Sequence, residues 1–231
     1  MTQPLRIVCL LFPQVTQLDL TGPAQVFTHL PGAQLHLVWH RIEPVGTDAG
    51  FAIVPTTTLS EVPQADVLFV PGGQGAFELF GDDLVLEFLS RQADPARYVA
   101  SVCTGAFLLG AAGLLRGRRA TTHWASLELL ALLGAQPTRQ RVVRDGNVIT
   151  GAGVSSGIDL ALTLAAELCG PEVARGIQLG IEYDPQPPFD AGAPGRPHAD
   201  PSQVARMTAA MDELRRPLVA RAASRLARPG R

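Results

Sequence analysis

Residues 98–110 read Tyr-Val-Ala-Ser-Val-Cys-Thr-Gly-Ala-Phe-Leu-Leu-Gly, and this stretch decides the fold. A short apolar, β-prone run ends at Cys103, and a helix-forming run begins at Ala106. A sharp strand-to-helix turn needs small residues two positions before and after its centre, where Ser101 and Gly105 stand. The pattern predicts a thiol projecting beyond the strand at a helix N-terminus, where partial positive charge favours thiolate over thiol.

The rest of the chain alternates between strand-like and helix-like segments. The expected strands cover 5–12, 34–40, 51–57, 66–70 and a hairpin over 141–150 with Asp145-Gly146 at its turn. The expected helices cover 21–30 with Pro23 in the first turn, 82–92, 106–115, 125–133, 157–168, a segment ending near 183, and 202–227. This alternation predicts an α/β fold with a mostly parallel sheet covered on both faces.

The chain is expected to form one domain over residues 1–231, with a core at about 5–194 and a C-terminal helix at about 202–227. The Pro/Gly-rich segment 184–201 is interpreted as a surface loop, because too few residues follow it for a second domain. The last helix is rich in arginine, which favours a solvated face over a contact with nucleic acid.

Composition excludes several classes of function. A net charge of -2 predicts no general affinity for nucleic acid or for an anionic membrane. All 19 basic residues are arginine, so Schiff-base chemistry, pyridoxal phosphate anchoring and a P-loop lysine are excluded. The three cysteines lack the close spacing of a metal site or disulfide framework. The apolar runs 7–12 and 105–115 are too short for a signal-peptide core or a membrane span, so a reducing cytoplasm is expected.

Four loops that follow predicted strands carry the candidate site. They contain Asp19, the sequence 71–73 (Pro-Gly-Gly), Cys103 and the sequence 151–153 (Gly-Ala-Gly). Ligands of an open α/β sheet bind beyond the carboxyl ends of its strands, and glycine lets backbone N–H groups approach a substrate closely. We therefore expect an oxyanion-type pocket around the cysteine, formed by Gly72, Gly73, Gly153 and Val154.

Each candidate side chain also has a structural interpretation. Cys9 and Cys169 fit inert, packed cysteines, whereas the turn around Cys103 has no packing reason and indicates function. Asp19 either caps a helix or moves a proton beside the thiol. His123 either activates the thiol or is a partly buried histidine at a helix start, which we favour because no acid partner is near in sequence.

A zinc site is not expected. His36 and His40 lie on one face of a predicted strand, but spacing places no third ligand beside them.

These motifs together resemble the ThiJ/PfpI superfamily from about Leu5 to Pro194. The residues that carry the resemblance are Leu18-Asp-Leu-Thr-Gly-Pro23, Pro71-Gly-Gly73, Ser101-Val-Cys-Thr-Gly105, Ala120-Thr-Thr-His-Trp124 and Arg144-Asp-Gly-Asn147. More narrowly, Cys103-Thr104, Asp19 and the segment 182–192 are similar to the bacterial isocyanide hydratases.

The resemblance implies a flavodoxin-like three-layer sandwich, a homodimer, and catalysis without metal or organic cofactor. It assigns the nucleophile to Cys103 and the acidic role to Asp19, with Thr104 following the nucleophile. The protease-like branch instead has histidine after the cysteine, and the branch that resists oxidative stress typically has glutamate in place of Asp19. The implied reaction hydrates an isocyanide to an N-substituted formamide through a covalent thioimidate. The alternatives are a glyoxalase- or deglycase-type thiol enzyme, a regulatory sensor domain, and a redox sensor in which the cysteine is oxidised.

Overall fold

The computed structural model describes residues 4–227, and its centre is a seven-stranded sheet. The strands are β1 (Leu5–Leu10), β2 (Ala33–Trp39), β3 (Val45–Gly46), β4 (Ala52–Ile53), β5 (Thr57–Thr58), β6 (Val67–Val70), β7 (Tyr98–Val102), β8 (Arg119–Ala120), β9 (Gln136–Pro137), β10 (Val142–Asp145) and β11 (Val148–Gly151). The helices are α1 (Gln17–Phe27), α2 (Gly75–Glu78), α3 (Asp83–Ala93), α4 (Gly105–Ala111), α5 (Ser156–Cys169), α6 (Pro171–Gly180) and α7 (Pro201–Leu226). Two 3-10 helices cover Leu79–Gly81 and Trp124–Leu133.

The sheet order brings the candidate loops together. Its strands run in the order β10-β11-β7-β6-β1-β2-β5, and every pair except β10–β11 is parallel. The adjacent parallel strands β11, β7, β6 and β1 therefore end at the same edge. Each is followed there by one of the four loops that the sequence singles out, so these loops lie at one edge of the sheet, as predicted.

Both faces of the central strands are buried, as a parallel sheet between helical layers requires. The side chains of β6 and most of β1 are inaccessible to solvent, and Phe27 of α1 meets Phe69 of β6 edge to face at 5.5 Å. Burying a side chain of this size contributes about 2–3 kcal/mol. Cys9 lies in the middle of β1 and is completely buried, which confirms its interpretation as a packed residue.

Several element boundaries differ from the sequence prediction. Helix α1 begins at Gln17 instead of Thr21, because the Thr16 N–H binds the Gly72 carbonyl and thereby sets the helix start from a distant loop. Pro23 consequently lies inside the helix and not in its first turn.

Four further boundaries differ from the prediction. The expected strand over 51–57 is two short strands, β4 and β5, separated by Pro55, which cannot donate to a strand ladder. Helix α4 stops at Ala111, before a left-handed Gly113. The hairpin turn is Gly146-Asn147, one residue later than expected, and α6 ends at Gly180.

The C-terminal helix forms as predicted and packs against the 3-10 helix Trp124–Leu133 and against α4. Val219 and Ala222 are its buried residues, and most of its other side chains face solvent. None of the helices within residues 4–227 combines the length and apolar character needed to span a membrane.

Candidate active site

Cys103 lies in a strained turn between β7 and α4. Its φ of 54° is in the left-handed region, which costs a non-glycine residue about 1–2 kcal/mol. Three hydrogen bonds hold it there. Its N–H donates to the carbonyls of Ala152 at 2.8 Å and Gly151 at 3.1 Å, and its own carbonyl accepts from Thr122 Oγ1 at 2.6 Å. Local strain maintained by surrounding contacts is typical of functional sites.

The small residues around the turn are required by close backbone crossings. A Cβ atom on Gly105 would lie 2.2 Å from the Val70 carbonyl oxygen and 2.6 Å from that of Pro71. Only glycine therefore lets α4 start this close to the end of β6. Ser101 is also completely buried, so the interpretation of the turn from its small residues is confirmed at both positions.

Asp19 is a buried carboxyl group beside the thiol. It lies in the first turn of α1, and its Oδ2 accepts from the Gly72 N–H at 2.9 Å. The Cys103 thiol and this carboxyl group shift each other's pKa, so the two groups act as a coupled pair. The other oxygen, Oδ1, is buried and has no partner among residues 4–227. Of its two sequence interpretations, helix capping is not what the structure shows, because Thr16 is the N-cap and the Asp19 side chain accepts from Gly72 of a different loop.

Burial raises the pKa of Asp19 to about 7, and the charge of Asp48 adds to this, while the Gly72 N–H and the thiol oppose it. A carboxyl group with this pKa exchanges its proton readily near neutral pH. The arrangement can therefore carry a proton to and from a group bound at the sulfur.

Cys103 is not held as a thiolate in the resting site. Burial raises the pKa of its thiol, the negative charge of Asp19 raises it further, and the Thr104 N–H and the charge of Arg215 lower it. We expected the N-terminus of α4 to lower the pKa of the thiol and so favour the thiolate. This expectation is wrong, because the loss of hydration on burial raises the pKa by more than the helix lowers it. The thiol is 6% exposed, so it ionises by passing its proton within the site.

Thr104 is bound to the backbone of Gly73. Its Oγ1 accepts from the Gly73 N–H at 2.8 Å and donates to the Gly73 carbonyl at 3.0 Å. Both hydrogen bonds of this hydroxyl are therefore made with the Gly73 backbone. Because the N–H groups of Gly72 and Gly73 are used in this way, they position Asp19 and Thr104 and do not form the oxyanion donors that we expected.

The second glycine loop has free donors. Neither Gly153 nor Val154 donates a backbone hydrogen bond to another residue of the described chain, and both residues are half-buried. A Cβ atom on Gly153 would meet the His123 ring at 3.4 Å, which is an ordinary contact distance. Of the predicted backbone donors, those of Gly153 and Val154 remain available to a substrate.

His123 starts the 3-10 helix Trp124–Leu133, and its Nδ1 accepts from the Ala125 N–H at 3.3 Å. Burial lowers the pKa of His123, and the charge of Arg215 lowers it further, so the ring is neutral at neutral pH. This geometry matches the favoured interpretation, a partly buried histidine at a helix start.

Arg215 is a site residue that sequence reasoning missed. It comes from α7, more than a hundred residues after the cysteine, and its charge acts on the Cys103 thiol. Its Nη1 donates to Ser126 Oγ at 2.8 Å, and its guanidinium carbon lies 5.0 Å from the centre of the Phe77 ring. Nothing in an arginine-rich helix pattern marks which arginine turns inward, so the sequence carried no signal for it.

No cluster of three His, Cys, Asp or Glu side chains within residues 4–227 could hold a metal ion. The two histidines of the predicted strand are used separately. His40 Nε2 donates to Asp82 Oδ2 at 2.9 Å, whereas burial lowers the pKa of His36.

Residues 5–167 match the DJ-1/PfpI family, and the chain belongs to this family. It is 52% identical over 223 residues to an isonitrile hydratase from Pseudomonas putida, covering 96% of this chain and 98% of that protein. It is similar to the crystal structure of a ThiJ/PfpI family protein from Pseudomonas syringae, with a TM-score of 0.86 and 43% identity over 97% of this chain and 90% of that one. Drosophila melanogaster DJ-1beta shares the fold, with a TM-score of 0.72 and 24% identity over 79% of this chain and 98% of that one. The prediction of a flavodoxin-like α/β sandwich of the ThiJ/PfpI type is therefore confirmed.

Proposed function

We propose that the protein hydrates an isocyanide to an N-substituted formamide, with Cys103 as the nucleophile and Asp19 as the proton carrier. The observation that carries the proposal is the 52% identity to an isonitrile hydratase over nearly the full length of both chains. The site supports it, because the Cys103 thiol is coupled to a carboxyl group whose pKa is raised to about 7.

The first half-reaction forms a carbon–sulfur bond. The thiol gives its proton to the Asp19 carboxylate, and the resulting thiolate attacks the terminal carbon of the isocyanide. Asp19 then returns the proton to that carbon, which leaves a neutral thioimidate, R–N=CH–S, on Cys103. The N–H groups of Gly153 and Val154 are the available donors for the polarised nitrogen of this intermediate.

The second half-reaction uses one water molecule. Asp19, now a carboxylate, removes a proton from water as the oxygen adds to the thioimidate carbon, and it passes this proton to the nitrogen. The hydroxyl of the resulting tetrahedral intermediate gives its proton to Asp19 as the C=O bond forms and the C–S bond breaks. Asp19 then returns that proton to the sulfur, which releases R–NH–CHO and restores the thiol and the carboxylate. Thr104 holds the Gly73 loop in place beside this carboxyl group throughout.

The test is turnover of an aryl isocyanide, with the formamide product followed by chromatography. Cys103→Ala should abolish turnover with an unchanged circular dichroism spectrum, whereas Cys169→Ala, at a partly exposed helix end, should retain it. Brief exposure of the wild type followed by mass spectrometry should detect an isocyanide adduct on the peptide that carries Cys103. Retained turnover in Cys103→Ala would exclude the covalent mechanism.

We also propose that the chain acts in the cytoplasm, as one domain over residues 1–231 and as a homodimer, without nucleic acid, metal or cofactor. Two large apolar side chains, Leu179 and Phe189, are 83% and 78% exposed in the single chain, which supports a surface that a second subunit covers. All three cysteines are free thiols, which suits a reducing compartment. Light scattering during size-exclusion chromatography should give twice the chain mass of 24.5 kDa, and a monomeric mass at every concentration would contradict the dimer.

A further inference from the structure

We propose that Arg215 is a positioning residue of the active site, whose guanidinium supplies the positive charge that lets the buried Cys103 thiol ionise beside Asp19. The inference depends on the proposed role of Cys103 as the reacting group. It adds a contribution from the C-terminal helix, which lies outside the segment 5–167 that matches the family.

The guanidinium of Arg215 is held against the ring of Phe77, in α2, at 5.0 Å. The Phe77 ring in turn packs against Phe107 at a centre-to-centre distance of 5.2 Å. Phe107 is on α4, one turn after Cys103, so Phe77 connects the cation to the helix that follows the reactive turn.

A second contact connects Arg215 to the start of the 3-10 helix Trp124–Leu133. Its Nη1 donates to Ser126 Oγ at 2.8 Å, and Ser126 is almost completely buried in the 3-10 helix that His123 begins. Just before that helix, Thr122 donates to the Cys103 carbonyl. The segment 122–126 therefore links the strained turn directly to the guanidinium.

Within residues 4–227, Arg215 has no acidic partner, unlike three other arginines of α7. Arg206, Arg216 and Arg225 each pair with an aspartate, but no carboxylate of the described residues forms a salt bridge with Arg215. Its Nε is buried and has no hydrogen-bond partner among the same residues. A partly buried cation is costly without a counter-charge, and the reactive pair is the negative charge that acts on it.

The charges around the sulfur explain what this cation does. The groups whose charges act on the thiol are Asp19 and Arg215, while Asp48 acts on Asp19 and the charge of Arg215 also lowers the pKa of His123. When Asp19 is ionised and Cys103 is a thiol, the pair holds one proton and carries one negative charge. When the proton moves to Asp19, that charge moves onto the sulfur, and a guanidinium there favours the transfer.

The test is the pH dependence of Cys103 alkylation by iodoacetamide, a reaction in which the thiolate displaces iodide and no isocyanide is needed. Tryptic cleavage isolates Cys103 in the peptide Tyr98–Arg116, so its labelling is read by mass spectrometry without interference from the other cysteines. In Arg215→Met, the apparent thiol pKa should rise by about one unit, and labelling at pH 8 should slow about tenfold. Arg215→Lys, which keeps the charge, should recover most of the rate.

Arg216→Met is the matched control, because it removes an exposed arginine from the next position of the same helix. Its labelling should follow the wild-type pH curve. If Arg215→Met follows that curve too, or if Arg215→Lys is slowed as much as Arg215→Met, the charge of Arg215 does not set the thiol pKa and the proposal is wrong.

Turnover separates this inference from the proposed function. A functional hydratase should show the rising limb of its kcat/KM profile about one pH unit higher in Arg215→Met than in the wild type. A shift in labelling without isocyanide turnover in any variant would support the role of Arg215 and contradict the proposed reaction.

Discussion

The two glycine loops beside Cys103 look alike in sequence but use their backbones in opposite ways. In the loop 71–73, the N–H groups of Gly72 and Gly73 bind Asp19 and Thr104. In the loop 151–153, the carbonyls of Gly151 and Ala152 accept from Cys103, and Gly153 donates to no other residue of the described chain. One loop therefore positions side chains, and the other leaves a backbone N–H without an acceptor among the described residues, although both are rich in glycine.

The pH dependence of folding tests the first loop most strongly, because that loop holds Asp19. Burial raises the pKa of Asp19 from 3.8 to about 7, so the folded protein keeps a proton that the unfolded chain loses in this range. The stabilisation is complete below the unfolded pKa and is lost as the pH rises through the folded one. Relative to Asp19→Asn, the wild type should lose about 4 kcal/mol of unfolding free energy between pH 4 and pH 8, measured by urea denaturation. A constant difference between the two proteins across this range would exclude the raised pKa.

Gly72→Ala should damage both the fold and the site. The new Cβ atom would lie 2.6 Å from the Thr104 backbone nitrogen and 2.7 Å from Asp19 Oδ2. Overpacking against fixed backbone should cost about 3 kcal/mol in denaturant midpoint experiments, with turnover reduced to background. Gly176→Ala is the control, because its Cβ atom meets nothing within 4 Å, and it should fold normally. Wild-type turnover in Gly72→Ala would show that the loop does not fix Asp19 and Thr104.

Thr104→Val should have a smaller effect, since it removes one hydroxyl and keeps the shape. The Gly73 N–H and carbonyl would lose their partner in a buried position, at a cost of about 1–3 kcal/mol. Turnover should fall because the loop that holds Asp19 is loosened. Thr104→Ser retains the hydroxyl and should stay close to wild type in both thermal melting and turnover. Equal losses in the two variants would point to the methyl group instead.

Gly153→Ala tests the second glycine loop and should have the smallest effect of these substitutions. Its Cβ atom would make one ordinary contact, at 3.4 Å with the His123 ring, and its backbone is not in the left-handed region. Unfolding free energy should change by less than about 0.5 kcal/mol, with turnover reduced a few-fold at most. A loss as large as that of Gly72→Ala would mean that the second loop is as tightly constrained as the first.

The sequence predicted the parts of the site that depend on local pattern. Small residues at Ser101 and Gly105 indicated the turn, and the ends of four parallel strands indicated which loops would meet. The position of Asp19 beside the thiol was available only from the family resemblance, because a helix start set by the Gly72 carbonyl is a tertiary contact.

The other features of the site depended on burial and on contacts between distant residues, which no local sequence pattern indicates. The prediction of an ionised thiol considered the N-terminus of α4 but could not include the loss of hydration that raises the pKa of Cys103. The glycines of the first loop were expected to face a substrate. Their hydrogen bonds to Asp19 and Thr104 join elements far apart in sequence, so no local pattern indicated these bonds. Arg215 was missed for the same reason, since its approach requires α7 to pack on the elbow helix.

The position of Arg215 on α7 has a consequence for how members of this family diverge. The segment 5–167 carries the reactive turn, the carboxyl group and both glycine loops, whereas the cation arrives from an extension that follows it. Relatives that keep the shared segment but exchange the extension would present the same sulfur at a different acidity. Substitutions in α7 could then change the reactivity of the cysteine while every residue of the shared segment stays the same.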